Sequence, residues 1–235
     1  RTTWDYAHIN YINTNVKYYQ LNEILRDQFY LSRKWDINKI NKHSLFITSG
    51  SSPIKGLHIL IQAIYLLKNK YPDIKLNVGG KSINNYSLYD KIKLGSYNRY
   101  ILELINNLEL ENNINFTGPL DEKHIIEYYL NSNVYVCPSI IENSSNSIAE
   151  AQILGVPTIA SDVGGTADLV EHCKTGYLYR FEEIELLAYY IDFIFSHFDT
   201  AIKISENEIE IAENRHNKKS ITNQLMQIYQ LVISY

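Results

Sequence analysis

The sequence predicts an α/β fold: a doubly wound, Rossmann-like parallel sheet of about six strands with helices on both faces. Three observations carry this expectation. Short apolar runs alternate along the chain with stretches of helical period, the pattern of a parallel sheet and its covering helices. Runs such as Leu45-Phe46-Ile47 and Val134-Tyr135-Val136-Cys137 are unbroken, as expected of strands buried on both faces. The residues after Ile47, Val78, Thr117 and Cys137 are rich in Gly, Pro and Ser, which places turns at one edge of the sheet.

In chain order, residues 1–40 hold many aromatics, including Trp4, Tyr6, Tyr11, Phe29 and Trp35, without a long period. Short pieces are expected there, with a helix over 22–31 carrying Leu25 and Phe29. Leu45–Ile47 is the first strand, and Leu57, Leu60, Ile61, Ile64 and Leu67 form one face of the helix after it. The unit recurs with a strand over 74–78, the turn Gly79-Gly80, a polar loop from Lys81 to Ser96 and a helix over 97–110. A third strand, 114–117, precedes a helix that Asp121 caps and that runs to Leu130. Strands over 134–137, 158–160 and 176–179 follow. The tail is helical, one face running from Ile184 to Phe198 and a last helix marked by Ile221, Leu225, Ile228 and Val232. Right-handed crossovers then give the doubly wound sheet, and its ligands bind beyond the carboxyl ends of the strands.

The stretch Ser139–Gly165 reads as an anion site. A polar turn leads into a helix of about two turns, closed by Gly155 in the left-handed conformation and by Pro157. Ser147 and Glu150 form a Ser-x-x-Glu capping box that starts this helix near Ile148. The unpaired N–H groups of its first turn suit a phosphate. Glu142 stands just outside that end, eight positions before Glu150.

Composition narrows the class further. Apolar residues make up 45% and charged residues 20% of the 235, as in ordinary globular proteins. The formal net charge of -4 and the scattered basic residues lack the footprint of a nucleic-acid binder. Cys137 and Cys173 have no metal-ligand spacing and read as buried free thiols of a reducing compartment. Seven dispersed histidines without an H-x-x-x-H pair give no metal site. No apolar run approaches a membrane span or a signal peptide. Gly79-Gly80 lacks the spacing of a dinucleotide fingerprint.

Five segments, taken in order, resemble one family: Ser52-Pro53-Ile54-Lys55-Gly56-Leu57, Asn115-Phe116-Thr117-Gly118, Val134–Ser139, the pair Glu142 and Glu150, and Gly155–Gly165. Over about residues 42–197 the chain is similar to the C-terminal half of a family 4 (group 1) retaining glycosyltransferase of the GT-B fold. The resemblance implies that residues 1–40 are the remnant of an N-terminal domain and the interdomain linker. Residues 41–235 are then the nucleotide-sugar-binding domain with its C-terminal helices. It also implies a nucleotide-diphosphate sugar as donor, a glycan or lipid-linked acceptor, no cofactor or metal, a cytoplasmic location, and a missing N-terminal domain that holds the acceptor and offers any peripheral membrane contact.

By the same resemblance, Lys55 neutralises the diphosphate and Glu142 addresses the donor-sugar hydroxyls, the two being the catalytic candidates. Glu150 holds the ribose. Gly50, Ser51, Ser144, Ser145, Asn146 and Ser147 line the donor, and Gly118 and Leu120 lie by the base. A solvated helix-start lysine, a capping Glu150 and a simple polar turn at 144–147 are the structural alternatives for these residues. The chain departs from the family in placing Ser51 and Ser52 where many members have a phosphate-clamping arginine. It also has Asn143-Ser144-Ser145 in place of a glycine-aromatic-glycine turn. A non-catalytic nucleotide- or sugar-binding module and another GT-B enzyme, such as an epimerase, are the rival functions.

Overall fold

The computed structural model describes residues 2–81 and 95–233. Most of the expected loop between Lys81 and Ser96 lies outside them. Its centre is a six-stranded sheet in the order β3-β2-β1-β4-β5-β6, every neighbouring pair parallel. The strands are β1 (Ser44–Ile47), β2 (Lys75–Gly79), β3 (Ile114–Gly118), β4 (Val134–Cys137), β5 (Thr158–Ser161) and β6 (Tyr177–Tyr179). β1, β4 and β5 are buried at every position, which is why their sequences run apolar without alternation. Leu45 pairs with Val134 and Val136 with Ile159, fixing the register through the middle of the sheet.

The first helices, α1 (Thr3–Ile12) and α2 (Asp27–Leu31), precede the sheet. The helix expected over 22–31 is therefore one short turn-and-a-half, and α1 was not read from the sequence. α2 is nevertheless part of the core, since Phe29 is fully buried and lies edge-on to Tyr129. Between and beyond the strands come α3 (Leu57–Leu67), α4 (Ser96–Asn107), α5 (Glu122–Leu130) and α6 (Asn146–Leu154). Asp121 caps α5 as expected, accepting from the His124 N–H at 2.9 Å. The tail divides where a single face had been expected. α7 (Ile184–Ser196) stops at His197, whose backbone leaves the helical region, and α8 (Phe198–Arg215) starts in a new direction. α8 packs so closely on α6 that a Cβ on Gly155 would stand 2.6 Å from Ile209 Cδ1. α9 (Lys218–Ile233) returns to α2 and the segment before it, where Lys218 pairs with Asp27 and Gln224 donates to the Gln20 carbonyl. Among the described residues no helix is long and apolar enough to cross a membrane. Tyr11, Ile12 and Ile233 are among the large apolar side chains left exposed.

Candidate functional site

β1 and β4 lie side by side at the centre, yet the chain leaves them in opposite directions, β1 towards β2 and β3, β4 towards β5 and β6. The loops after these two strands therefore diverge and open a crevice at the carboxyl rim. A glycine brings the loops into contact. Gly56 has φ 69°, and a Cβ there would fall 1.7 Å from the Pro138 carbonyl oxygen. The Ile140 N–H donates to the Ile54 carbonyl at 2.8 Å. The short 3-10 turn Pro53–Lys55 is thus pressed onto the β4 loop, and Lys55 Nζ reaches Glu142 Oε2 at 2.7 Å. Ser139 Oγ also donates to that oxygen, at 3.3 Å. From the other side, Gly164 (φ 54°) lies where a Cβ would be 1.9 Å from the Glu142 carbonyl oxygen, and Gly165 N–H donates to it at 3.2 Å. The glycines after Asp162 serve this close approach.

α6 begins at Asn146, two residues earlier than its capping box predicts, with Ser145 at the N-cap. The capping box is not formed. Ser147 is inside the first turn, and its Oγ accepts from the buried Tyr135 hydroxyl at 2.7 Å and lies 2.9 Å from Ser145 Oγ. The N-cap side chain caps no backbone N–H of the first turn, so those amides have no serine or glutamate capping them. They carry the partial positive charge of a helix start that follows directly on the β4 loop. Burial pushes the Cys137 thiol up, with Glu142 adding to the effect, and this cysteine is a packing residue beside the site.

Glu150 does not turn back to the helix start. Its Oε1 accepts from Arg26 Nη2 at 2.7 Å, while Tyr129 OH stands 3.4 Å from Oε2 and donates to the Ser147 carbonyl at 2.9 Å. Burial raises the Glu150 carboxyl above its ordinary range, against the opposing pull of Arg26. The remaining candidates are spread along the same rim. Gly50 is buried, with space for no Cβ beside Leu57 and Val78, and Ser51 is exposed. Ser144 is half-buried, Ser145 buried and Asn146 exposed. Gly118 (φ 77°) has open space where a Cβ would be, and Leu120 is half-buried against the core. Gly118 ends the edge strand β3 and Leu120 follows it, two strands from β1.

Sequence reasoning missed the contribution of residues before the sheet. Arg26 reaches Glu150, and Thr2 and Asp5 hold the side chain of Asn143 at 2.8 and 2.7 Å. No local pattern links residues more than a hundred positions apart. Cys173 corrects a second expectation, being exposed in a turn with φ 65° rather than buried. Among the described residues, no group of three His, Cys, Asp or Glu side chains is placed to hold a metal.

Residues 31–211 match the family described as Glycosyl transferases group 1, and the chain belongs to that family. Among curated relatives, it is 27% identical to the capsular polysaccharide biosynthesis glycosyltransferase CapM of Staphylococcus aureus, over 74% of this chain and 42% of CapM. It is 26% identical to Anabaena HepE, whose crystal structure was solved in complex with UDP-glucose, with a TM-score of 0.68 over 83% of this chain and 50% of HepE. A glycosyltransferase from Rickettsia africae shares the fold at TM-score 0.82 and 21% identity, over 99% of this chain and 62% of that one. The chain spans about half or less of the length of the curated relatives it matches.

Proposed function

We propose that this chain is the donor-binding half of a retaining glycosyltransferase of family 4, taking a sugar from a nucleotide-diphosphate sugar to a glycan or lipid-linked acceptor. The observation that carries the reading is the Lys55–Glu142 pair beside an uncapped helix N-terminus, both at the sheet's reversal point. The UDP-glucose bound by HepE and the capsular role in CapM's name support the donor class and a surface-polysaccharide pathway. In this reading residues 1–40 are the interdomain connection, a partner half of the same protein supplies the acceptor site and any membrane contact, and transfer takes place in the cytoplasm.

The chemistry follows from the charges. The diphosphate draws Lys55 Nζ and the first-turn amides of α6, and Lys55 leaves Glu142 as it does so. A Glu142 oxygen is then free for the donor-sugar hydroxyls. As the bond from the anomeric carbon to the diphosphate oxygen breaks, the charge growing on that oxygen is held by Lys55 and the helix terminus. The acceptor oxygen bonds to the same face of that carbon, and its proton passes to the departing diphosphate. No protein nucleophile is assigned, and no metal is needed for these steps. The test is calorimetric titration of the chain with UDP, GDP, ADP and their common sugar conjugates, repeated on Lys55→Ala. Selective binding of one nucleotide, weakened about tenfold or more by the loss of the charged hydrogen bond, is expected. Equal, unselective or absent binding across the panel overturns the donor assignment.

A further inference from the structure

Arg26 belongs to the stretch before α2, far from every motif of the crevice, yet its guanidinium ends on Glu150. The approach is fixed by packing. Its guanidinium lies over the ring of Phe29, 4.7 Å from the centroid, and Phe29 is itself fully buried against Tyr129. The same stretch closes the far end of α6, where Trp35 N–H donates to the Leu154 carbonyl at 2.8 Å and Lys34 Nζ to the Ile153 carbonyl at 2.7 Å. These contacts satisfy carbonyls that a helix end leaves unpaired. Residues 26–35 therefore grip α6 along its length and set where its one buried carboxylate sits.

The two oxygens of that carboxylate differ. Oε1 is taken by Arg26 at 2.7 Å, and the nearest partner of Oε2 is a tyrosine hydroxyl at 3.4 Å, too long for a strong bond. Oε2 keeps its accepting capacity. A ribose offers vicinal hydroxyls, which are donors, and a carboxylate held by a cation on its other oxygen is a strong acceptor for one of them.

We propose that Arg26 is a positioning residue for ribose recognition: it fixes Glu150 through Oε1, so that Oε2 accepts from a ribose hydroxyl of the nucleotide. This rests on the donor reading above and deepens it, because it turns a contact of the connecting segment into a determinant of ribo- against deoxyribonucleotide choice. The charged and titratable groups facing Glu150 are Arg26 from the segment before α2, Tyr129 and Glu122 from α5, and Tyr135 from β4. Arg26 is the cation of that set. Burial and Glu122 both push the carboxyl towards its neutral form, and Arg26 opposes them. Removing the arginine moves protonation to higher pH, and the ribose preference moves with it.

The experiment uses the full chain, first to find which of UDP, GDP and ADP binds, then to titrate that nucleotide and its 2′-deoxy form between pH 5.5 and 9. The wild type is expected to favour the ribonucleotide roughly tenfold, the worth of a hydrogen bond to a charged group. Arg26→Gln is expected to bring that ratio at pH 7 to about twofold or less, with recovery only at higher pH. Arg26→Lys keeps a cation and should restore the preference at pH 8, with its midpoint above that of the wild type. Glu150→Gln should lose the preference at every pH, and adding Arg26→Gln to it should change nothing more. An Arg26→Gln protein that discriminates as the wild type does across the range overturns the inference and leaves the donor reading standing. If Arg26→Gln does not fold, an Arg26→Lys profile unmoved from the wild type overturns it equally. Failure of all three nucleotides to bind the wild type overturns the donor reading and this inference together.

Discussion

Glu150 and Glu208 are both buried glutamates, one at the carboxyl rim of the sheet and one at its amino end. Burial pushes both carboxyls up. At the rim, Arg26 stands 2.7 Å from Glu150 and opposes the shift. At the other end, Glu208 Oε1 accepts from the Thr158 N–H at 3.1 Å, and its Oε2 is buried without a hydrogen-bond partner. Thr158 is the first residue of β5, so Glu208 caps a strand start and holds α8 beneath the sheet. A buried carboxyl with neutral donors alone is best kept as the acid, whereas one with a guanidinium can be kept as the anion. The same residue type serves as a structural peg at one end and as a charged acceptor at the other, and the cation decides which.

The comparison is broken most severely at the rim. In the enzyme complete with its acceptor half, Glu142→Gln and Lys55→Ala should each lower the initial rate of sugar transfer by about a hundredfold or more, the usual cost of removing one charge-stabilising group. Transfer that survives both changes would remove the rim from the chemistry. Gly56→Ala attacks the geometry instead. Its Cβ cannot coexist with the Pro138 carbonyl at 1.7 Å, and the backbone stands at positive φ. A loss of about 3 kcal/mol or more in denaturant unfolding is expected, with weaker nucleotide binding because the Lys55 turn detaches.

Glu208→Gln sharpens the contrast through pH. The folded-state pKa of Glu208 lies above its unfolded value, so its favourable contribution is complete below the unfolded pKa and is lost as pH rises towards the folded one. The isosteric amide carries no such loss. Unfolding curves should therefore nearly coincide at pH 4 and favour the variant at pH 8. A variant less stable at pH 8 than at pH 4, relative to wild type, would show Glu208 ionised and paired. The smallest effect is Tyr129→Phe, which removes the donor to the Ser147 carbonyl and to Glu150 but keeps the ring in the core. About 1 kcal/mol of stability is at stake in thermal unfolding, and a loss several times larger would show that the hydroxyl organises the start of α6.

Much of the fold was legible because it depends on local pattern. Each expected strand lies within about a residue of the observed one, since a short apolar run between turn formers can be little else in a chain with helical stretches around it. The capping box failed for a specific reason. Ser147 and Glu150 have the spacing, but Tyr135 takes the serine and Arg26 takes the glutamate, and both partners come from elsewhere in the chain. α8 escaped notice because its apolar positions are diluted by Glu206, Glu208, Glu210 and Glu213, although Glu208 is one of its buried residues.

The sequence alone determined the alternation of strands and helices, pointed to the carboxyl ends of the strands as the place for a ligand, and offered Lys55, Glu142 and Glu150 as candidates, because periodicity, turn chemistry and motif order are properties of neighbouring residues. The tertiary structure alone decided that Lys55 meets Glu142 through the contact of Gly56 with Pro138, that Gly164 fits under Glu142, and that Arg26 rather than a helix terminus receives Glu150. Those are contacts between segments up to more than a hundred residues apart, and what selects them is the packing of the whole core around α6, which no window of sequence contains.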